Sequence, residues 1–210
     1  MRWFRHLLVA FSLAVTTPSL ATTLTFDEFG TAIIPVPNGY GGFQWDNFYS
    51  VYTPDFTPSG YVAGTVSTGS VAYNNFGHPA SFTLFKPFKL TSFYLTSAWY
   101  DGLKVEVTGF NGGNQMFTRT LLPSATAPTL YDFQNVVVDR VAFRSYDGAV
   151  HPGYLGDGTN FVLDNLTING AAVPEVSTWL MLIAGLGATG VLLRRRLHES
   201  PTRRSAGSLA

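Results

Sequence analysis

Two aromatic–acid pairings, Trp45-Asp46 and Trp99-Tyr100-Asp101, are the residues best suited to recognition chemistry in this 210-residue chain. The apolar face of a sugar ring stacks on a rigid aromatic ring, and a neighbouring carboxylate accepts hydrogen bonds from its hydroxyls. Trp45, Asp46, Trp99 and Asp101 are therefore candidate carbohydrate contacts, and Trp99 is the better placed because it flanks the Asp101-Gly102 turn dipeptide. The competing fate is burial, since a chain with 15% aromatic residues fills a core with such rings. A second set is Asp27, Glu28 and Asp164. Strict alternation over 161–168 puts Asp164 on the same face as Val162, Leu166 and Ile168, where an unpartnered carboxylate costs several kcal/mol. A structural calcium held by Asp27, Glu28 and Asp164 is one solution. The other is that Asp164 caps backbone amides, as Asp does in turns.

Catalysis finds little to work with. No cysteine is present, which removes thiol nucleophiles, thiolate metal sites and disulfides. Outside the two ends the only histidines are His78 and His151, each followed by proline and each expected in a solvated loop. There is no Gly-x-Ser-x-Gly elbow and no His-Glu-x-x-His pair. Glycoside hydrolysis needs two carboxylates across a cleft, but eleven acids over 22–173 make some such pair inevitable. The expectation is a protein that is not an enzyme.

Charge divides the chain. The 13 Lys and Arg match the 13 Asp and Glu overall. Over 22–173, however, six Lys and Arg face eleven acids, a balance of −5, and both ends are basic. A neutral chain with only 12% charged residues and no basic face is not a nucleic-acid binder. At 46% apolar it is not disordered either.

The ends explain the imbalance. Arg2 and Arg5 precede an apolar run from Leu7 to Val15, a break at Pro18, and small residues at Ser19 and Ala21. That order predicts a signal peptide over 1–21, read by the Sec export machinery and cut by signal peptidase after Ala21. At the other end, 17 uncharged residues over 177–193 run into Arg194-Arg195-Arg196. This predicts a single C-terminal transmembrane helix in the inner membrane, preceded by a tether over 170–176 and followed by a basic cytoplasmic tail over 194–210.

Val173-Pro174-Glu175-Val176, the glycine-bearing apolar span and the Arg194–196 cluster together resemble the PEP-CTERM sorting signal. The resemblance covers about residues 173–196. It implies a Gram-negative bacterium that makes exopolysaccharide, and an exosortase-like protease that removes the helix near the motif. Two departures stand out: Val176 occupies the place of the family's second proline, and 14 residues follow Arg196. A second resemblance lies in Phe88-Lys89-Leu90-Thr91-Ser92-Phe93-Tyr94-Leu95, Leu103-Lys104-Val105-Glu106-Val107-Thr108-Gly109 and Phe161-Val162-Leu163-Asp164-Asn165-Leu166. It is to the ectodomains of PEP-CTERM proteins, which look like carbohydrate-binding jelly-rolls. The implied role is that of an exported surface or matrix protein associated with exopolysaccharide or biofilm, the alternatives being a carbohydrate-binding module or a carbohydrate-active enzyme.

The elements that must position these residues are strands. Short runs rich in Phe, Tyr, Val and Thr, broken by turn residues, fill 22–169, and Leu103–Thr108 alternates cleanly between apolar and polar. Strands are expected at 22–26, 43–50, 61–66, 81–86, 90–97, 103–108, 115–121, 136–144 and 161–168. Their number and spacing predict an all-β, antiparallel β-sandwich ectodomain, jelly-roll-like, over 22–169.

Overall fold

The computed structural model describes residues 21–169. Ser19, the tether with Val173, Pro174, Glu175 and Val176, the expected span and the Arg194, Arg195 and Arg196 cluster lie outside the described residues. Among the described residues, no helix is long and apolar enough to cross a membrane.

The described chain is all-β and antiparallel. Its strands are β1 Ala21–Leu24, β2 Ile34–Pro35, β3 Gln44–Asp46, β4 Phe48–Tyr52, β5 Ser70–Asn74, β6 Ala80–Ser97, β7 Tyr100–Asp101, β8 Lys104–Asn111, β9 Asn114–Leu121, β10 Thr129–Tyr146, β11 Ala149–Val150 and β12 Phe161–Asn169. A single helical turn, α1, spans Gly60–Ala63.

Two strands of 18 residues, β6 and β10, pair with each other from Thr129↔Leu95 to Phe143↔Ala80. Neither stays in one plane. The register shifts between Asp132 and Val136 and again between Val138 and Arg140, and each shift bends the ribbon. One half of the ribbon forms a layer with β12, whose far edge carries β5 and β1, with β4 and β2 beyond β5. The other half forms a second layer with β3 on the β6 side and β8 then β9 on the β10 side.

The layers face each other across aromatic rings. Phe143 of the second layer lies 5.4 Å from Phe161, 5.6 Å from Phe48 and 5.6 Å from Phe93, centroid to centroid, all three from the first layer. Alternation in β8 supplies the aliphatic share, with Val105 and Val107 buried and Lys104, Glu106 and Thr108 facing out. The β8–β9 hairpin closes through Gly112 and Gly113 at φ 57° and 80°, the left-handed conformation that glycine adopts without steric cost.

A smaller apolar cluster sits on the outer side of the first layer. Val51, Val71, Ala98 and Val162 are covered there by Tyr61, with Phe56 and Trp99 alongside. The strand expected over 61–66 is replaced here by α1. Ser59 accepts a hydrogen bond from the Tyr61 amide at 3.1 Å and starts the turn, and the close approach of Gly60 to the Ser97 and Ala98 backbone holds the turn down on β6. Conversely, β5 forms from Ser70–Asn74, which composition alone did not single out as a strand.

Phe143→Ala removes the ring that touches both layers. It is expected to lower unfolding free energy by about 3–5 kcal/mol in denaturant titration. A loss below about 1 kcal/mol contradicts this packing.

Candidate functional site

The ribbon's bends leave an opening. The first half of β10 bonds to β6 on one side only, because β8 pairs solely with Arg140–Tyr146. β9 likewise pairs only with β8. The two layers therefore end in two unpaired strand edges, and a groove of about 620 Å³ runs between them, lined by Phe117, Arg119, Asp132, Phe133, Gln134 and Val136.

Five of the six lining residues are placed by identifiable local contacts. In the β8–β9 pairing, Leu121, Arg119 and Phe117 face inward opposite Val105, Val107 and Gly109. Gly109 breaks the valine alternation because a Cβ there would collide with the Phe117 ring. Phe117 lies 5.3 Å from Phe133, which lies 4.7 Å from Phe93, so the half-exposed ring joins the core edge as an apolar floor. Arg119 spans the seam: its Nη1 donates to the Asp132 carbonyl at 2.8 Å, and its guanidinium lies 5.0 Å from the Phe133 ring centre.

The far rim is a bulge. Gln134 and Asn135 are consecutive non-glycine residues at φ 54° and 59°. Such residues cost about 1–3 kcal/mol each and persist only where surrounding contacts hold them. The Asp132 carboxylate accepts from the Gln134 amide at 2.7 Å, and Asn135 Oδ1 accepts from Thr91 Oγ1 at 2.8 Å and Asn169 Nδ2 at 2.9 Å. The result is an apolar floor flanked by a guanidinium, a carboxylate and a carboxamide. That arrangement can stack a ring and hydrogen-bond its substituents.

The residues singled out in the sequence fall elsewhere. Trp45, 8% exposed, is a core residue: its Nε1 donates to the Tyr40 carbonyl at 2.9 Å and its ring meets Phe26, Phe43, Phe48 and Phe82. Strand alternation in β3 sends Asp46 outward and Trp45 inward, so the two do not converge on a ligand. Trp99 is half-buried, edge-on to Tyr61 and Tyr154, with Gly156 packed against its indole. Asp101 accepts from or pairs with His151 Nδ1 at 2.8 Å, while Tyr100 donates to Asp157. His151, expected in solvent, is thus held by Asp101 and by Tyr154, whose ring centre is 4.4 Å away. These contacts fasten the loop after β11 onto Trp99. His78 is exposed, as its loop context implied.

Asp164 is fully buried, yet not on the face that alternation predicted. A bulge at Asn165, φ 48°, flips the parity of β12. Phe161, Leu163, Leu166 and Ile168 therefore share the main core, while Val162 and Asp164 face the opposite side. There the carboxylate accepts from the Val66 and Ser67 amides at 2.7 and 3.0 Å, from Ser67 Oγ at 3.1 Å and from the Asn165 amide at 2.7 Å. Asp27 Oδ1 accepts from the Ser70 amide, and Glu28 accepts from the Tyr40 hydroxyl at 2.9 Å. These acids are spent on protein donors, and among the described residues no group of three or more His, Asp or Glu is placed to hold a metal. Asp27, Glu28 and Asp164 are not brought together as one ligand set among the described residues.

Burial pushes the Asp164 carboxyl up to about 6, more than its hydrogen-bond donors pull it down. A folded-state value raised above the ordinary 3.8 means that folding favours the protonated acid. Its contribution is fully present below about pH 4 and is lost as pH rises through 6, on the order of 3 kcal/mol in all. Asp164→Asn is expected to remove this slope from the stability–pH profile measured by denaturation. Parallel profiles for the two proteins contradict the assignment.

No protein-family model matches the sequence, and no curated protein does. Solved structures give distant likenesses. A DUF4465 family protein from Bacteroides caccae has TM-score 0.44 and 15% identity, covering 75% of this chain and 90% of that one. The K2 cleaved adhesin domain of Lys-gingipain has TM-score 0.44 and 12% identity, covering 71% and 99%. A family 32 carbohydrate-binding module of C. perfringens NanJ, in complex with galactose, has TM-score 0.37 and 12% identity, covering 70% and 99%. Scores at this level carry no argument about this chain's ligand.

Proposed function

We propose that the domain is a non-catalytic glycan-binding module, exported from the cytoplasm, that takes an exopolysaccharide chain along the groove between β9 and β10. The observation that carries this reading is the groove itself: about 620 Å³, open along two strand edges, with Phe117 and Phe133 beneath and Arg119, Asp132 and Gln134 at its sides. An open-ended groove suits a polymer. Its half-exposed ring suits the C–H face of a pyranose, and its polar groups suit hydroxyls. A carbohydrate-processing enzyme is the weaker reading, because Asp132 is the single carboxylate among these lining residues and glycoside cleavage uses a facing pair.

The delivery route belongs to the same proposal and is supported by sequence alone. The order of charge, apolar run and small residues over 1–21, and of Pro174-Glu175, apolar span and Arg cluster over 173–196, fits export followed by membrane retention or exosortase-like processing. We read the sandwich as a jelly-roll variant, supported by β1 lying beside the last strand, β12.

Affinity electrophoresis in gels containing exopolysaccharide from the producing cell tests the binding reading. Retardation is expected, with Phe117→Ala weakening affinity about tenfold and Arg119→Ala at least as much. Retardation that survives both substitutions but disappears with Trp99→Ala moves the site to the β7–β11 loops. No retardation in any exopolysaccharide rejects the reading.

A further inference from the structure

We propose that the bulge of β6 at residues 84–87 docks on an anionic phospholipid surface and orients the sandwich on the membrane, an inference that rests on reading 177–193 as a bilayer span. In the β6–β10 register, Phe88 pairs with Val138 and Thr83 with Arg140. Four β6 residues, Leu84 to Pro87, therefore stand opposite Asp139 alone, and the strand must bow outward. At the crest Phe85 is 89% exposed, although it belongs to a chain that buries most of its phenylalanines. Lys86 and Pro87 beside it are exposed as well.

Charge gathers at the same place. Among the described residues, Lys104 pairs with Asp147 and Arg144 with Glu106. Lys86, Lys89 and Arg140 stand outside these pairs and lie on β6 and β10 beside the bulge, in an otherwise acidic domain. Arg140 lies over the Phe110 ring at 5.6 Å, and together with Phe85 it lines a groove of about 400 Å³ at the base of the bulge. The acid there, Asp139, accepts from the Gly112 amide at 2.6 Å.

The bulge also sits where the domain's two ends emerge. Asn169, the last residue of β12, pairs with Lys89, and Ala21 pairs with Asn169. The chain leaves β12 for the tether three residues along β6 from Lys86. An exposed phenyl ring followed in the chain by exposed Lys86 and Lys89, where the tether leaves the domain, has the chemistry of an interfacial anchor: the ring enters the headgroup boundary and the ammonium groups meet phosphate. The acidity of the remaining surface keeps other faces off the same lipid, so one orientation is selected.

The absence of cysteine makes the test direct. Full-length Phe85→Cys carrying an environment-sensitive fluorophore is placed in nanodiscs of phosphatidylcholine with or without phosphatidylglycerol. A Phe76→Cys label serves as reference, because Phe76 is exposed on a different loop. The expected result is emission shifted to the blue and quenched by lipid-borne quenchers at position 85 alone, in anionic discs alone, and reversed by high salt. Lys86→Glu with Lys89→Glu is expected to lower the docked fraction by at least about tenfold, each lysine being worth roughly fivefold near such a surface. A position-85 label that stays in water while the chain has entered the disc overturns the docking and leaves the span reading intact. A chain that never enters the disc overturns the span reading and this inference together. Burial of the label by soluble acidic polysaccharide without lipid assigns the patch to that polymer instead.

Discussion

The pairing of β6 with β10 is the constraint from which the rest of the domain follows. Two 18-residue strands stay hydrogen-bonded to each other while passing from one layer of the sandwich to the other. A ribbon that long cannot turn a corner without extra residues, and it places them on both strands: Gln134 and Asn135 on β10, and residues 84–87 on β6. The β10 insertion becomes the rim of the seam groove, and the β6 insertion becomes the exposed crest beside the chain's exit. Because β8 joins β10 only after Val138, the first half of β10 is left as an edge, and β9 ends the other layer. The groove is the gap between those edges, bridged by Arg119.

Stability comes from two apolar clusters on opposite faces of the first layer, and β12 serves both. Its bulge at Asn165 lets Leu166 and Ile168 continue the main core after Val162 and Asp164 have served the outer cluster. The carboxylate of Asp164 then organises the covering segment around Val66 and Ser67 by accepting amides that strand pairing does not satisfy. A buried acid in this position needs no metal to be accounted for.

Much of the fold was legible in the sequence, for physical reasons. Alternation at Leu103–Thr108, the Asn111-Gly112-Gly113 turn and the aromatic-rich strands are local signals, and each is realised in place. What failed depended on partners distant in sequence. Tyr61 sits in a run that looks extended but is pressed into a helical turn by contact with β6. Parity over 161–168 misassigned Asp164 because one left-handed residue resets it. Trp45 looked like a ligand platform beside Asp46, yet alternation within β3 sends the ring into the core. The groove residues went unnoticed because Phe117 and Arg119 meet Asp132 and Gln134 only once the ribbon has bent. The one local cue was Gly109, where the β8 pattern calls for another valine. The readings of the two ends rest on hydropathy and charge alone, and both ends lie outside the described residues.

The central claim is that the open seam of this sandwich is a glycan-binding surface created by the bent ribbon. Hydrogen exchange read by mass spectrometry, on the full chain with and without exopolysaccharide from the producing cell, tests it most directly. The account predicts slower exchange in two separate stretches, 115–121 on β9 and 130–137 on β10, whose unpaired edge amides the polymer would shield. Protection confined to the loops around Trp99 and His151, or none on either edge, would contradict it.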